Sequence, residues 1–431
     1  MTYSAAIGYL YGLQKHGIKL GLETMQALLG RIGHPERRLR TLHIGGTNGK
    51  GSTAAMAAAI LQASGLRVGL YTSPHLVEFR ERIRVNGEMI PEGRIADLTG
   101  RLQSAIQGGL APTFFEMTTA MALLHFAESQ VDVVVLEVGM GGRFDATNVV
   151  EPMACAITTI ALEHQEYLGR TEEAIAFEKA GIIKPSVPVV IGRMGPEADK
   201  VMHRVAQERK APLWQLEQDF SVVGDGPQQF TYRGVARVFE ELACGLAGRH
   251  QLDNAACALA LLEAAGKAGV AVDEAAVRRG LQSVKWEGRL ELVEESPMVL
   301  LDGAHNPAAA AALAGYLGDF LARRPDARII LVWGMMRDKD HRGFLAPLQS
   351  VVSEIVLTQA GLARSATVQE LRSALLGWRQ PVLEAPLPAE AVMLAKTRAT
   401  SRDLICVAGS LMLLGDVKAA ERGCGLSPLR G

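Results

Sequence analysis

A glycine-rich loop between an apolar stretch and a helical one carries the clearest chemical signal in the chain, Leu42-His43-Ile44-Gly45-Gly46-Thr47-Asn48-Gly49-Lys50-Gly51-Ser52-Thr53. Glycines allow backbone N–H groups to surround an anion, the start of a helix adds unpaired N–H groups, and a lysine contributes a mobile positive charge. The spacing departs from the common P-loop, because Gly51 separates the lysine from Ser52. The pattern still favours a nucleoside triphosphate site over a glycine turn that binds nothing, and the predicted contacts are Thr47, Asn48, Gly49, Lys50, Gly51 and Ser52.

Three polar residues that each follow an apolar stretch are candidates for holding a metal ion. Glu137 ends one such run and precedes a glycine-rich turn, which resembles a Walker-B position, while Ser73 and His164 follow two others. Carboxylate and hydroxyl oxygens suit Mg²⁺, whereas a nitrogen ligand is uncommon for so hard a cation. Taken alone, an acid at a strand end is more often a solvated turn residue, and a lone histidine is usually a polar surface or core residue. Together with the phosphate loop, Ser73, Glu137 and His164 predict a magnesium site.

Length and composition limit the classes of protein and partner. The chain has 431 residues, more than one hydrophobic core usually supports, so we expect at least two domains. With 48% hydrophobic residues, 21% charged residues and a net charge of −1, it offers no electrostatic case for binding nucleic acid or a membrane surface. We therefore expect small-molecule partners. Because the first residues lack the pattern of a secretion signal, we expect a cytoplasmic location and five reduced cysteines.

Hydrophobic patterning predicts the elements that position these residues. Residues 52–64 form an alanine-rich helical run that Gly65 ends, and a strand over 67–72 follows. An Asn-Gly pair within residues 83–90 predicts a tight hairpin, and residues 116–128 have helical character. The near-continuous apolar runs 131–136 and 154–160 are typical of strands covered on both faces. The pattern predicts an α/β protein with a mostly parallel sheet covered by helices.

A second, smaller doubly wound sheet is predicted after a connector. From about residue 230, short strands precede helices over 252–268 and 273–284, and Trp286-Glu287-Gly288-Arg289 then has the character of a linker. Apolar strands beyond it alternate with helical segments, at 298–301, 328–333, 354–358 and 403–408. We predict a P-loop ATPase domain over residues 1–284, a connector over 285–289 and a Rossmann-like α/β domain over 290–431.

Four longer motifs occur in order along nearly the whole chain. They are the loop 46–52, Thr72-Ser73-Pro74-His75-Leu76, Leu136-Glu137-Val138-Gly139-Met140-Gly141-Gly142-Arg143-Phe144-Asp145-Ala146-Thr147-Asn148 and Asp302-Gly303-Ala304-His305-Asn306-Pro307. This set is similar to the folylpolyglutamate synthase/dihydrofolate synthase family of the Mur ligase superfamily. The resemblance implies an ATP-dependent ligase, bifunctional in many bacteria, that adds L-glutamate to dihydropteroate or a reduced folate through an acyl phosphate. It implies ATP and Mg²⁺ as cofactors, and we expect a monomer.

The resemblance also implies roles for individual residues. Lys179 matches a lysine that the family carbamylates to make a second magnesium ligand, and Lys50, Lys179 and His305 are the implied catalytic residues. Asn254, Arg289 and Asp302 match ATP contacts, and Ser410 is a candidate, with His305, for the glutamate and phosphate side. The implied substrate contacts in the first domain are Thr113, Phe114, Phe115, Glu116, Phe144, Asp145 and Ala146. A buried Phe pair at the start of a core helix is the rival interpretation of Phe114 and Phe115.

The chain departs from the family at two positions. Glu163 stands where Asp usually precedes the metal-binding histidine, and Glu287 stands in the connector where Pro is common. Two other functions remain open from the sequence. A cell-wall Mur ligase would share the ATP chemistry, although the pterin-like segment and the Ser-Pro-His motif argue against it. A nucleotide-binding switch without ligase activity would leave Lys179, His164 and Asp302 without a joint purpose.

Overall fold

The computed structural model describes residues 1–17 and 21–424, which divide into two units. The first unit contains Met1–Ser73, Phe79–Gly245 and Gln251–Lys285, apart from the residues that are not described. The second contains Trp286 to residue 424 together with two short pieces from earlier in the chain, Pro74–Glu78 and Leu246–His250. The last seven residues of the predicted C-terminal domain, 425–431, lie outside the described residues.

The first unit is built on an eight-stranded sheet in the order β4-β3-β2-β5-β1-β6-β7-β8. All neighbouring strands from β2 to β8 in this order are parallel, and the β2–β3–β4 edge is antiparallel. The strands are β1 Thr41–Gly45, β2 Val68–Tyr71, β3 Ile83–Val85, β4 Glu88–Met89, β5 Val133–Glu137, β6 Ala154–Ile157, β7 Val189–Ile191 and β8 Leu213–Gln215. Every residue of β1, β5 and β6 is buried, because helices cover both faces.

Ten α-helices accompany this sheet in the described part of the unit. They are α1 Tyr3–Gly12, α2 Glu23–Arg31, α3 Lys50–Ala63, α4 Glu92–Ala105, α5 Phe114–Glu128, α6 Gln165–Leu168, α7 Glu172–Ala180, α8 Pro196–Glu208, α9 His250–Gly266 and α10 Glu274–Ser283. The buried side chains of α1, α2, α4 and α5 form one core with the sheet, while those of α7 and α8 form another. The predicted Asn-Gly hairpin is confirmed, since β3 pairs with β4 across Asn86 and Gly87, both at positive φ.

A separate three-stranded antiparallel sheet belongs to the same unit. Its strands are β9 Ser221–Gly226, β10 Gln229–Arg233 and β11 Val238–Leu242. The sequence predicts short strands only from about residue 230, so β9 begins earlier than expected. Its residues are half-buried or exposed, which leaves little hydrophobic pattern to detect.

The second unit is a six-stranded sheet in the order β12-β13-β17-β14-β15-β16, parallel except for the β12 edge. Its strands are β12 Glu291–Glu295, β13 Met298–Asp302, β14 Ile329–Trp333, β15 Glu354–Leu357, β16 Val382–Glu384 and β17 Leu404–Ala408. Its helices are α11 Pro307–Arg323, α12 His341–Leu345, α13 Val368–Ala374, α14 Pro388–Arg398 and α15 Leu411–Glu421. Buried clusters on both faces confirm the predicted doubly wound arrangement.

Within the described ranges, 1–17 and 21–424, no helix combines the length and apolarity needed to cross a membrane.

Candidate active site

The predicted phosphate loop joins β1 to α3. Gly46 has a φ of 131°, and a Cβ there would stand 2.1 Å from the Thr158 hydroxyl oxygen and 2.9 Å from the Thr158 backbone nitrogen. Gly49, at a φ of 90°, is the residue before the helix. Glycine is required at Gly46 because both the backbone conformation and the closeness of Thr158 exclude a side chain. The loop therefore has the backbone form that the sequence predicts for an anion cradle.

The two residues that follow β6 hold this loop through hydrogen bonds. The Thr158 hydroxyl donates to the Asn48 carbonyl at 2.6 Å, and the Asn48 N–H donates to the Thr159 hydroxyl at 3.0 Å. The Thr47 N–H donates to the Thr159 carbonyl at 2.7 Å. The predicted strand over 154–160 is therefore too long, since the chain leaves the sheet after Ile157 and its polar groups bond to the loop instead. Sequence reasoning missed Thr158 and Thr159 as loop supports because they continue an apolar run.

Two lysines converge on the Gly46 carbonyl, and a glutamate pairs with one of them. The Lys50 ammonium donates to it at 3.0 Å and to the Thr47 carbonyl at 3.0 Å, and the Lys179 ammonium donates to it at 2.8 Å. Lys179 also donates to the Glu163 carboxylate at 2.7 Å, and its side chain is only 2% exposed. Lys179 is thus a buried, ion-paired residue rather than the solvent-facing helix lysine that would be expected without the family resemblance.

The charged groups of this cluster shift one another's pKa values. Burial opposes ionisation of Glu163, but the ammonium groups of Lys179 and Lys50 hold the pKa of its carboxyl at about 2, below the ordinary 4.5. Burial lowers the pKa of Lys179, against the opposing influence of Glu163, and Lys50 lowers it further. The structure therefore places Glu163, the residue that departs from the family pattern, in direct contact with Lys179.

The predicted metal ligands are placed as follows. Glu137 ends β5 and is 5% exposed, and its carboxylate accepts the Ser73 N–H at 3.1 Å, so these two residues are neighbours. His164 lies on an exposed turn beside Glu163, with a φ of 46°. Among the residues that the structure describes, no group of three His, Cys, Asp or Glu side chains is arranged to hold a metal ion. A carboxylate beside a serine is nevertheless a donor pair that suits a hard divalent cation.

Asn254 lies against the phosphate loop from α9. A Cβ on Gly49 would stand 2.2 Å from the Asn254 side-chain oxygen. The Asn254 amide donates to the Gln251 side-chain oxygen at 2.9 Å, and the Gln251 amide donates to the Ser52 hydroxyl at 3.4 Å. Gln251 is fully buried and was missed by the sequence analysis, because an isolated glutamine in a helix carries no signal of its partner.

The segment Thr113–Glu116 forms a capping box at the start of α5. The Glu116 carboxylate accepts the Thr113 N–H at 2.7 Å, and the Thr113 hydroxyl accepts the Glu116 N–H at 3.2 Å. Phe114 packs in the core against Tyr11, with ring centroids 5.7 Å apart, so its placement favours the core interpretation. Phe115 is half-buried and lies 6.0 Å from the Tyr71 ring at the end of β2, near Ser73. Of the two phenylalanines, Phe115 is the one near the candidate site.

A buried hydrogen-bond chain links β1 to the loop that contains Phe144, Asp145 and Ala146. The Asp145 carboxylate accepts the Met140 N–H at 2.9 Å and the Thr147 hydroxyl at 2.5 Å. Since the Thr147 proton is used there, the Thr147 oxygen accepts from Nε2 of His43 at 2.8 Å. Burial raises the pKa of Asp145, against the lowering effect of the hydrogen bonds it accepts. His43 was not singled out by the sequence, because it reads only as one residue of a strand.

Phe144 and Ala146 flank this carboxylate. Phe144 is 36% exposed, and Ala146 is buried at the start of a short 3-10 turn. The structure thus gathers the phosphate loop, Lys179, Glu137 and the 144–146 loop within the first unit.

Four of the predicted residues lie in the second unit. The Asp302 carboxylate, at the end of β13, accepts the Leu290 N–H at 2.9 Å and the Ala304 N–H at 3.0 Å. The Arg289 guanidinium donates to the Gly288 carbonyl at 3.0 Å and lies against Gly303. Asp302 therefore fixes the backbone on which Arg289 is presented.

His305 and Ser410 lie at the same edge of this sheet. Nδ1 of His305 donates to the Gly303 carbonyl at 2.8 Å. The Ser410 hydroxyl accepts the Met412 N–H at 3.0 Å at the start of α15. Because β13 and β17 are parallel neighbours with Asp302 opposite Ala408, the residues after these strands meet. The second unit thus presents Arg289, Asp302, His305 and Ser410 around the carboxyl ends of β13 and β17.

Comparisons with known proteins agree with this architecture. The family described as Mur ligase middle domain matches residues 44–262, and the family described as Mur ligase, glutamate ligase domain matches residues 288–411. The first match contains the phosphate loop, and the second contains Arg289, Asp302, His305 and Ser410. The chain is therefore a Mur-type ligase.

Individual relatives give a narrower assignment. The dihydrofolate synthase/folylpolyglutamate synthase of Bacillus subtilis is 35% identical over 433 residues, covering 97% of this chain and 98% of the relative. The structure of Escherichia coli FolC in complex with DHPP and ADP has a TM-score of 0.90 at 36% identity, covering 98% of both chains. A bifunctional enzyme from Yersinia pestis, complexed with AMPPNP and Mn ion, has a TM-score of 0.89 at 33% identity, also covering 98% of both chains.

This chain belongs to the dihydrofolate synthase/folylpolyglutamate synthase family, as its four motifs predict. It is an ATP-dependent ligase that adds glutamate to folates.

Proposed function

We propose that this ligase is bifunctional, adding L-glutamate both to dihydropteroate and to reduced folates. The observation that carries the ATP-dependent part of the proposal is a glycine-constrained loop whose Gly46 carbonyl accepts from the ammonium groups of Lys50 and Lys179, with Glu163 paired to Lys179. The Lys50 ammonium held at such a loop suits the phosphates of ATP, since it offsets the repulsion between an anionic acceptor and an anionic nucleotide.

The reaction would proceed in two displacements. A carboxylate oxygen of the acceptor attacks the γ-phosphorus of ATP, and the bond to the bridging oxygen breaks to release ADP. The amino nitrogen of L-glutamate then attacks the acyl carbon of the resulting acyl phosphate, so that an amide forms, inorganic phosphate leaves and the nitrogen loses a proton. Shielding from water would protect the acyl phosphate from hydrolysis.

The residues that would hold Mg²⁺ are Ser73, Glu137, His164 and, if carbamylated, Lys179. The adjacent serine and carboxylate support the first two members of this set. When bound, the ion would neutralise charge on the transferring phosphoryl group. For Lys179 itself, burial and the lowered pKa of the amine are consistent with a nucleophile for carbamylation, and its contact with Glu163 would have to rearrange.

The other predicted contacts divide between the two units. In the first unit, Asn254 beside the phosphate loop would contact ATP, and Phe115 with residues 144–146 would contact the pterin. In the second, we assign Arg289 to phosphate and Asp302 to ribose, with His305 and Ser410 on the glutamate side. These roles correspond to an ATPase and folate domain over 1–284 and a glutamate-side domain over 290–431. We further propose a cytoplasmic monomer.

The proposal is tested by ADP release from purified enzyme with Mg-ATP and L-glutamate, with dihydropteroate or tetrahydrofolate as acceptor. We expect both acceptors to stimulate release. Stimulation by only one would reduce the assignment to a monofunctional ligase, and no glutamate-dependent stimulation by either would contradict the proposal.

Matched variants test the site. Lys50→Ala and Glu137→Gln should each abolish product formation while the circular dichroism spectrum stays unchanged. Lys200→Ala is the control, because Lys200 is an exposed lysine paired with Glu197 on α8. Retained glutamate addition by either site variant would remove its proposed phosphate or metal role.

A further inference from the structure

Arg143 is exposed, and its guanidinium has no polar partner among the residues that the structure describes. It lies next to the proposed pterin-contacting residues 144–146, on the turn that follows Glu137. Its centre lies 4.9 Å from the Phe144 ring centroid and 5.4 Å from that of Phe177 on α7. Within residues 1–17 and 21–424, no side chain or carbonyl accepts a hydrogen bond from this guanidinium, and no carboxylate pairs with it. Its five N–H donors are therefore available to a ligand.

The backbone under Arg143 is fixed. The Arg143 N–H donates to the Glu178 carbonyl at 2.8 Å, and the Arg143 carbonyl accepts the Asn148 side-chain amide at 3.0 Å. The same Asn148 amide donates to the Gly181 carbonyl at 3.1 Å. Gly181 permits this contact, since a Cβ there would stand 2.4 Å from the Arg143 Cα. The turn is thus tied to the end of the helix that carries Lys179.

The two aromatic rings reduce the mobility of the arginine side chain. Phe144 is 36% exposed and Phe177 is 41% exposed, and each attracts the cation through its ring face. Rings that pack on a guanidinium leave its N–H edge for a ligand, and that edge matches the two oxygens of a carboxylate. An exposed arginine that is held in place by aromatic rings, and that pairs with no carboxylate of the described residues, can bind the carboxylate of a ligand.

We propose that Arg143 binds a carboxylate of the acceptor that does not react. This inference rests on the proposed function, and it specifies the substrate class of the same site. Dihydropteroate has a single carboxylate, which is the one activated. Every glutamylated acceptor carries at least one additional carboxylate, and longer tails carry more. Arg143 therefore distinguishes glutamylated from unglutamylated acceptors.

Equilibrium binding tests this without requiring turnover. Isothermal titration calorimetry would measure dissociation constants for pteroate, pteroylmonoglutamate and pteroyltriglutamate. We expect Arg143→Ala to reduce the preference for the triglutamate over pteroate about tenfold, the effect of removing a hydrogen-bonded charge pair. Arg143→Lys should retain part of the preference, since it keeps the charge but not the fork. Arg204→Ala, which removes another exposed arginine from α8, is the control.

Phe177→Ala tests the role of the aromatic support. It should lower the same preference by a smaller factor than Arg143→Ala, because the guanidinium remains but is less ordered. High salt should reduce the wild-type preference, as expected for an exposed charge pair.

Three results would overturn the inference. Equal weakening of pteroate and triglutamate by Arg143→Ala would mean that Arg143 only shapes the loop, and unchanged dissociation constants for both would mean that it binds no tail. A raised KM for L-glutamate at constant acceptor would assign the arginine to the incoming amino acid. Failure of the proposed function is distinguishable, because it would appear as absent ADP release in the wild type whatever the binding data show.

Discussion

Replacing His43 by glutamine should make the protein resist acid better than the wild type does. His43 is fully buried in β1, its Nε2–H donates to Thr147, and its Nδ1 has no hydrogen-bond partner within residues 1–17 and 21–424. Burial, with a smaller contribution from the positive charge of Lys184, lowers the pKa of the ring from the ordinary 6.5 to about 3. A glutamine amide can still donate to Thr147, but it does not titrate.

The magnitude follows from the pKa difference. The folded protein keeps His43 neutral down to about pH 3, whereas the unfolded chain protonates it below its ordinary pKa, so falling pH favours unfolding. Each pH unit in that window is worth about 1.4 kcal/mol, which gives a loss of about 2 kcal/mol by pH 5. Above the ordinary pKa, the wild type has the full stability and the variant should be less stable by about 1 kcal/mol for altered packing.

The assay is thermal unfolding of both proteins at neutral pH and at pH 5. A relative gain of about 2 kcal/mol corresponds to a change of roughly 3 °C in the difference between the two melting temperatures. Carboxylates that titrate in both proteins cancel in this difference. Thr147→Val is the control, because it removes the hydrogen bond and keeps the ring, so its deficit should persist at pH 5. A melting-temperature difference between wild type and His43→Gln that does not change with pH would refute the reasoning.

Three further substitutions test other parts of the structure. Gly46→Ala should destabilise the protein by about 3 kcal/mol and abolish ADP binding measured by calorimetry, because a Cβ would clash with Thr158. The control is Gly65→Ala, where a Cβ would meet open space; it should cost about 1 kcal/mol and keep ADP binding. Asp403→Asn should lower the free energy of unfolding by about 2 kcal/mol at neutral pH, measured by urea unfolding. The deficit should shrink as the pH falls from the ordinary pKa of 3.8 towards the folded-state pKa of about 2, because the wild type loses this stabilisation there. A deficit that grows on acidification would contradict this prediction. Lys179→Arg should lose glutamate-dependent ADP release as completely as Lys179→Ala. A guanidinium does not form a carbamate, and it does not fit a site in which the native side chain is only 2% exposed. Substantial activity in the arginine variant would exclude carbamylation.

The elements that the sequence predicts best are those with continuous local signals. The strand, glycine loop and helix around Lys50 were predicted because adjacent residues carry the whole pattern, and β5, β13, β14 and β17 because their apolar runs are buried on both faces. The edge strands β12 and β16 were missed, since they are short and partly exposed and lack that pattern.

The sequence by itself determined the family, the α/β class and the chemistry of the phosphate loop, because each rests on residues that are contiguous or in a fixed order. Only the tertiary structure decided which groups meet. It pairs Lys179 with Glu163, connects His43 through Thr147 to Asp145 and leaves the Arg143 guanidinium without a polar partner among the described residues. The contacts of Lys179 with Glu163 and of His43 with Thr147 join residues that are separated in the chain. They depend on burial, which sets the pKa and the partner of a side chain but cannot be recognised in the local sequence.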